Sequence, residues 1–325
     1  MIYKDKIYGD VEITDPLAIE LFESPAIQRL REISQLGYYP FYPGDHNRFD
    51  HSLGVYCLLK SHDAPLLEQI AGLIHDVSHS AFSHCIDYVL ECGSEKEHNH
   101  QDNIFKEFVE NSEISGILSK YGLSVDDICR DENFPLKEKD LPDLCADRID
   151  YALRDAVFLK ELDRGDADYF LDNLAAENGD WIFRDFESAG KFAELFQRLN
   201  SKLYSNIKAA LMFRAVGDCL KYALSAGYIS QEDLYTTDKA ILAKVRKNSH
   251  RDEKLKLLLD RMDNKVAYRN NPDDYDAKVF CKSRVVDPLC RHRGELRRVS
   301  RIDEKWKSII EMESKPKEYF LKFER

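Results

Sequence analysis

The chain has 325 residues, of which 43% are hydrophobic and 33% charged, and its formal net charge is −12. An acidic balance excludes a sequence-tolerant nucleic-acid binder, whose affinity rests on Lys and Arg neutralising phosphates. It leaves room for a small phosphorylated ligand, because a bound metal inverts the local charge of a pocket. The length allows one large domain or a main domain with an appendage. No run approaches the ~18 apolar residues of a membrane span. The opening MIYKDKIYGDVEI is not a signal peptide, and the eight cysteines form no CxxC pair. These features predict a cytoplasmic protein with reduced, mostly buried thiols.

Residues 1–15 read as a strand or hairpin, with Ile2, Ile7, Val11 and Ile13 in loose alternation and a turn at Gly9-Asp10. Ser24-Pro25 marks a helix start, Ser as N-cap and Pro at the first helical position. Ile27, Leu30, Ile33 and Leu36 follow at helical spacing until Gly37 stops them. A loop rich in aromatics, Pro and Gly comes next, and a helix resumes near His51. Further amphipathic helices are predicted over 66–78, 100–121, 141–159 and 188–226. After Gly227 the sequence is more charged and less periodic. The reading is a mainly α protein, with a domain over 1–228 and a smaller α+β region over 229–325 that caps it or mediates oligomerisation.

Within LIHDVSHSAFSH, His75 and His79 are four apart, on one face of the predicted helix, and Asp76 adjoins His75. An imidazole beside a carboxylate is half a site for a divalent transition metal. His51 in HNRFDHSLGV and Asp147 in LCADRIDYALRDAV are candidates to complete it. On the latter helix Asp147, Tyr151, Arg154 and Asp155 share one face, and such a polar stack is costly unless something binds it. Each residue alone has an ordinary reading. A His-Asp dipeptide occurs by chance, a helical His is usually structural, and Asp147 could simply pair with Arg148 or Arg154. The ordered set His51, His75-Asp76 and Asp147, all in helical context, is what carries weight.

These stretches, with QRLREISQLGYYPFYPGDHNRFDHSLGV, HNHQDNIF and CADRIDYALRDA, resemble the HD-domain superfamily, and more narrowly its deoxynucleoside triphosphate triphosphohydrolase branch. The resemblance covers most of residues 1–160 and resumes weakly at SRVVDPLCRHRGELRRVSRID. It implies an HD-domain helical bundle with a short N-terminal β element. It implies His51, His75, Asp76 and Asp147 as metal ligands, and His79, His84, Asp87 and His100 as catalytic or supporting groups. It implies that Arg48 binds phosphate, that Gln28 and Asp155 hold a sugar hydroxyl, and that Tyr151 packs on the sugar. The cofactor would be one divalent transition metal (Mn, Fe, Ni, Zn or Co), with Mg accompanying the substrate phosphates. A Lewis acid on a phosphoryl oxygen, an arginine neutralising transition-state charge and a histidine moving protons near pH 7 suit those roles.

The implied reaction is hydrolysis of a nucleotide phosphoester, foremost a dNTP to deoxynucleoside and tripolyphosphate. The long helix after residue 190 departs from the branch. Leu203-Tyr204 fits, but Asn200, Lys208 and Ala210 stand where the branch has Arg, Tyr and His. Those positions grip the distal phosphate and the base, so a nucleoside monophosphate or another phosphoester is the alternative substrate. A non-catalytic nucleotide-binding regulator is the third reading. The implied partners are the nucleotide substrate and further copies of the chain, with neither membrane nor nucleic acid.

Overall fold

The computed structural model describes residues 1–90, 94 and 96–324. Helices dominate, and the strands form three small sheets. The N-terminal hairpin pairs Ile2–Asp5 with Gly9–Glu12 around a turn at Lys6–Tyr8, slightly earlier than predicted. Ser24 caps the helix Pro25–Arg29 by accepting from the Ile27 amide, with Pro25 in the first turn. That helix does not run on to Gly37. A single 3₁₀ turn, Leu30–Glu32, ends it, and Ile33 is extended. The reason is a partner remote from helical periodicity: Gln35 N–H donates to the His46 carbonyl and Arg48 N–H to the Ile33 carbonyl.

Two helices form the centre, Arg48–Ser61 and Ala146–Phe158. Asn47 caps the first by accepting from the Asp50 amide. Their crossing depends on Gly54. A Cβ built there would lie 1.9 Å from Asp150 Oδ1 and 2.2 Å from Arg154 Nη2. The helix Leu66–Ile74 packs on the first of the pair and stops at Ile74, so His75 is its C-cap and His79 is not on its face as predicted. At the stop the Gly72 carbonyl accepts from His75 Nδ1–H. Beyond it Arg29 Nη2 donates to the Val77 carbonyl (2.6 Å) and the His79 carbonyl (2.8 Å), which holds the turn that follows. Phe82 and Ser83 then have φ of 59° and 53°, a left-handed turn disfavoured for side chains of their size.

The predicted long helices are also divided. Ser112 starts a new helix after His100–Glu110, and a π-helical segment, Asn200–Tyr204, separates Phe186–Leu199 from Ile207–Ser225. Two strands missed in the sequence, Leu174–Glu177 and Asp180–Phe183, lie between helices. Beyond residue 228 the chain is α+β, as read from composition. It is closely joined to what precedes it. Leu289–His292 pairs in parallel with Asp180–Phe183, and Asp238 accepts from the Ser34 and Phe82 amides. One hydrophobic core runs from Ile7 to Phe323, and a second gathers the first helices with Ile70–Val77 and Ile114–Phe134. Seven cysteines are free, six of them buried; Cys92 lies outside the described residues. No helix among the described residues is long and apolar enough to cross a membrane.

Candidate metal centre and active site

The two central helices and the His75 turn meet at one point. Donor atoms of His51, His75 and Asp147 lie within 4.8 Å of one another. His51 Nε2 is 3.2 Å from His75 Nε2 and 2.8 Å from Asp147 Oδ1. Asp76 joins them, its Oδ1 3.4 Å from His75 Nε2 and its Oδ2 3.9 Å from His51 Nε2. The four residues predicted as ligands are thus brought together.

The partners behind the imidazoles test whether this donor set fits a cation. His51 Nδ1–H donates to Asp150 Oδ2 at 2.7 Å, and His75 Nδ1–H donates to the Gly72 carbonyl at 2.7 Å. Both acceptors can only accept, so in the neutral rings both Nε2 atoms are left with lone pairs. Those lone pairs point at each other beside two carboxylates, an arrangement that a divalent ion satisfies and that its absence leaves repulsive. Without a metal the site must take up protons instead. Burial alone would lower the His51 pKa, but hydrogen bonds to Asp147 and Asp150 outweigh it and raise it to about 10. Asp147 also approaches Glu138 and Cys145. There the Cys145 thiol accepts from the Arg148 amide as a helix cap, and burial drives its pKa well up, away from the thiolate a metal needs.

Asp150 was not singled out in the sequence. It is fully buried, and Arg154 grips it through Nε and Nη2 at 3.0 and 2.9 Å while also reaching Asp5. Arg154 therefore belongs to this support rather than to the polar face assigned to it with Asp147. Its only sequence signal is the i,i+4 spacing Asp150–Arg154, which any surface helix shows.

A cavity of about 870 Å³ opens onto the centre. Arg48, His79, His84, Tyr151 and Asp155, all singled out in the sequence, line it. Arg48 Nη1 lies 2.5 Å from Asp76 Oδ2 and its Nε donates to Ser83 Oγ, so the strained turn at residue 83 aims the guanidinium. His79 Nε2 is 3.3 Å from Asp76 Oδ1. Burial and the neighbouring Arg48 hold the pKa values of His79 and His84 well below the usual imidazole range. His84 Nδ1 is 3.6 Å from Asp87 Oδ2, and burial raises the Asp87 carboxyl. Asp155 accepts from His46 Nε2–H (2.5 Å) and from the Tyr204 hydroxyl (2.6 Å). Tyr151 stands between the metal ligands and Tyr204, its ring 6.4 Å from His51 and 5.6 Å from Tyr204.

Three predicted residues do not line the cavity: Asp87, buried behind His84, and Gln28 and His100. Gln28 donates to the Phe22 carbonyl and accepts from Arg31, on the far side of its short helix. Gln35 lines the cavity instead, and its buried Oε1 has no hydrogen-bond partner. His100 starts the helix His100–Glu110, where its amide donates to Asp87 Oδ1 and its Nε2 faces the Tyr235 hydroxyl at 3.0 Å. His98, two residues earlier, occupies the wall with its ring 5.5 Å from His84. Burial first, then His84, Arg284 and Lys282, lower its pKa to about 3, and neither ring nitrogen has a partner. The departures at 200, 208 and 210 also leave the cavity. Asn200 and Ala210 are fully buried, and Lys208 Nζ lies over the Tyr42 ring.

The HD domain family model matches residues 48–155, which hold every proposed metal ligand. The protein YdhJ of Bacillus subtilis, itself uncharacterized, is 35% identical over 291 residues, 89% of this chain and 88% of its own. The metal-dependent phosphohydrolase cns2 of Cordyceps militaris is 28% identical over 303 residues, 91% of this chain and 86% of its own. The deoxynucleoside triphosphate triphosphohydrolase of Mus musculus is 37% identical over 144 residues, only 38% of this chain and 22% of its own length. Among solved structures, a phosphohydrolase from Bacteroides thetaiotaomicron shares the fold over 100% of both chains, with a TM-score of 0.73 at 19% identity.

Proposed function

The chain belongs to the HD-domain family of metal-dependent phosphohydrolases, and we propose that its substrate is a nucleotide, cleaved at a phosphoester. The observation that supports this most is the pair of imidazole lone pairs, fixed by Asp150 and the Gly72 carbonyl, that converge beside Asp147 and Asp76. A divalent ion held there supplies Lewis acidity toward a phosphoryl oxygen. Arg48, beside Asp76, adds fixed positive charge where phosphoryl charge develops. His79 is neutral at pH 7 and supports Asp76 through Nε2, 3.3 Å from Oδ1, without adding charge. His84, which lines the cavity with Asp87 Oδ2 3.6 Å behind its Nδ1, is the residue placed to exchange a proton with the leaving oxygen. Tyr151, Tyr204, Asp155 and Gln35 form the wall for the sugar, Gln35 through its unpartnered Oε1.

The first candidate substrate is a dNTP, on the likeness to the triphosphohydrolase over 38% of the chain. A nucleoside monophosphate is the second reading. It is favoured by the burial of Asn200 and Ala210 and the diversion of Lys208, which leave no replacement at the three positions where the branch grips distal groups. Mn²⁺-loaded protein incubated with dNTPs, NTPs and nucleoside monophosphates separates them by product. Tripolyphosphate marks the first reading and orthophosphate the second, while no turnover with any divalent metal refutes both.

A further inference from the structure

The basic side chains lining the cavity are almost all engaged. Arg48 pairs with Asp76, Lys106 with Asp126, Lys137 with Asp131 and Lys139 with Asp180, and Arg148 donates to the carbonyls of Lys139 and Asp143. Arg284 is the exception among the described residues. Its guanidinium lies over the Tyr204 ring, 5.3 Å from the centroid, with no acceptor for its N–H groups. It is half-buried in the cavity wall, so its donors are partly stripped of water. A cavity-wall guanidinium with no protein acceptor is free to take an anion through charge-assisted hydrogen bonds. Lys282, two residues earlier, lines the same wall, and burial, then the charge of Arg284, lowers its pKa. Both charges also bear on His84 and His98, which disfavours a second cation in that corner.

The segment is held in place by a buried amide. Asn200 Oδ1 accepts from the Arg284 backbone N–H at 3.0 Å. Its Nδ2 donates to Ser283 Oγ at 3.1 Å and to Glu313 Oε2 at 3.0 Å, and Ser283 Oγ donates to the same carboxylate oxygen at 2.9 Å. Asn200 is fully buried in the π-helical segment, and these bonds employ both ends of its amide. It is thus a bracket for residues 283–284 rather than a group that meets substrate.

We propose that Arg284, seconded by Lys282, is a phosphate-binding point of the cavity, and that Asn200 is its positioning residue. The inference rests on the phosphohydrolase reading and adds where the substrate's charge is met away from the metal. Isothermal calorimetry on the full-length, Mn²⁺-loaded protein tests it without turnover, using orthophosphate and tripolyphosphate as probes. Losing a charge-assisted hydrogen bond predicts at least a ~10-fold weaker affinity for one or both probes in Arg284→Ala. Arg284→Lys should recover part of it. Asn200→Ala should weaken the same probe by ~3-fold or more, with metal content unchanged. Wild-type affinity for both probes in Arg284→Ala, or no phosphate binding by the parent protein, overturns the inference. Phosphate binding unaffected by Arg284→Ala in a protein that still hydrolyses nucleotides would sink this point alone and leave the proposed function intact.

Discussion

Asp150→Asn isolates the support of the metal centre from the centre itself. Asp150 is no ligand: its Oδ2 receives His51 Nδ1–H at 2.7 Å, and its two oxygens receive Arg154 at 3.0 and 2.9 Å. The amide has nearly the same volume. It can still accept from one donor, but its NH₂ then faces a guanidinium that can only donate. Two consequences follow. The His51 ring loses the carboxylate that fixes its tautomer and raises its basicity, and loss of such a partner typically costs about 10–100-fold in metal affinity, or about 1.4–2.7 kcal/mol. Arg154 keeps Asp5 at 3.0 Å, so the buried charge is not stranded, and the stability loss should stay below the ~3–5 kcal/mol of a fully broken buried pair. Competition against a chelator of known affinity, followed by elemental analysis, reads the first effect, and thermal unfolding of the metal-free protein reads the second. Turnover should return at saturating metal. Wild-type metal affinity in Asp150→Asn would refute the argument that the lone pairs at His51 and His75 are set from behind.

Three further outcomes are expected. His84→Ala and His98→Ala should each retain metal but lose rate, by about 10²–10⁴-fold for His84 as the proton donor; His100→Ala, outside the cavity, should lose much less, and steady-state kinetics with elemental analysis compares the three. Gly54→Ala forces a Cβ to 1.9 Å from Asp150 Oδ1 between two packed helices, so unfolding should show a loss of at least ~1–3 kcal/mol together with weakened metal binding. Gln35→Ala should raise KM for a nucleotide with little change in metal content, whereas Gln28→Ala should leave KM unchanged; equal effects would contradict the placement of these two side chains.

The residues proposed as metal ligands could be picked out because each lies in a short stretch of characteristic residues, and the order His51, His75-Asp76, Asp147 survives any error in the helix ends. What the sequence hid was set by distant partners. The helix before His75 stops at Ile74, and the turn after it is held by Arg29 through the carbonyls of Val77 and His79, which nothing in the local periodicity announces. The sequence pointed to Gln28 and His100, whereas Gln35 and His98 line the cavity, because residue type and approximate spacing do not tell which side of a turn a side chain occupies. The extended residue Ile33 decides the first choice, and the positive φ of 54° at His98 accompanies the second. Asp150 read as one more charge on a polar face because its value lies in burial. Arg284 was unreadable as a site residue, since it reaches the cavity only through Asn200, 84 positions away in the chain. The mainly α class and the mixed composition beyond residue 228 followed from periodicity and charge, whereas the strands at 174–183 were too short to interrupt a helical reading.

We propose that one metal, held by His51, His75, Asp76 and Asp147, is required for the hydrolysis. Asp147→Ala tests it most directly, because Asp147 Oδ1 approaches both imidazoles, at 2.8 and 3.5 Å, and lines the cavity. Metal content and nucleotide turnover measured on one preparation of the variant should both fall to background while the protein stays folded by circular dichroism. A folded variant that keeps hydrolysing nucleotides without bound metal would contradict the account.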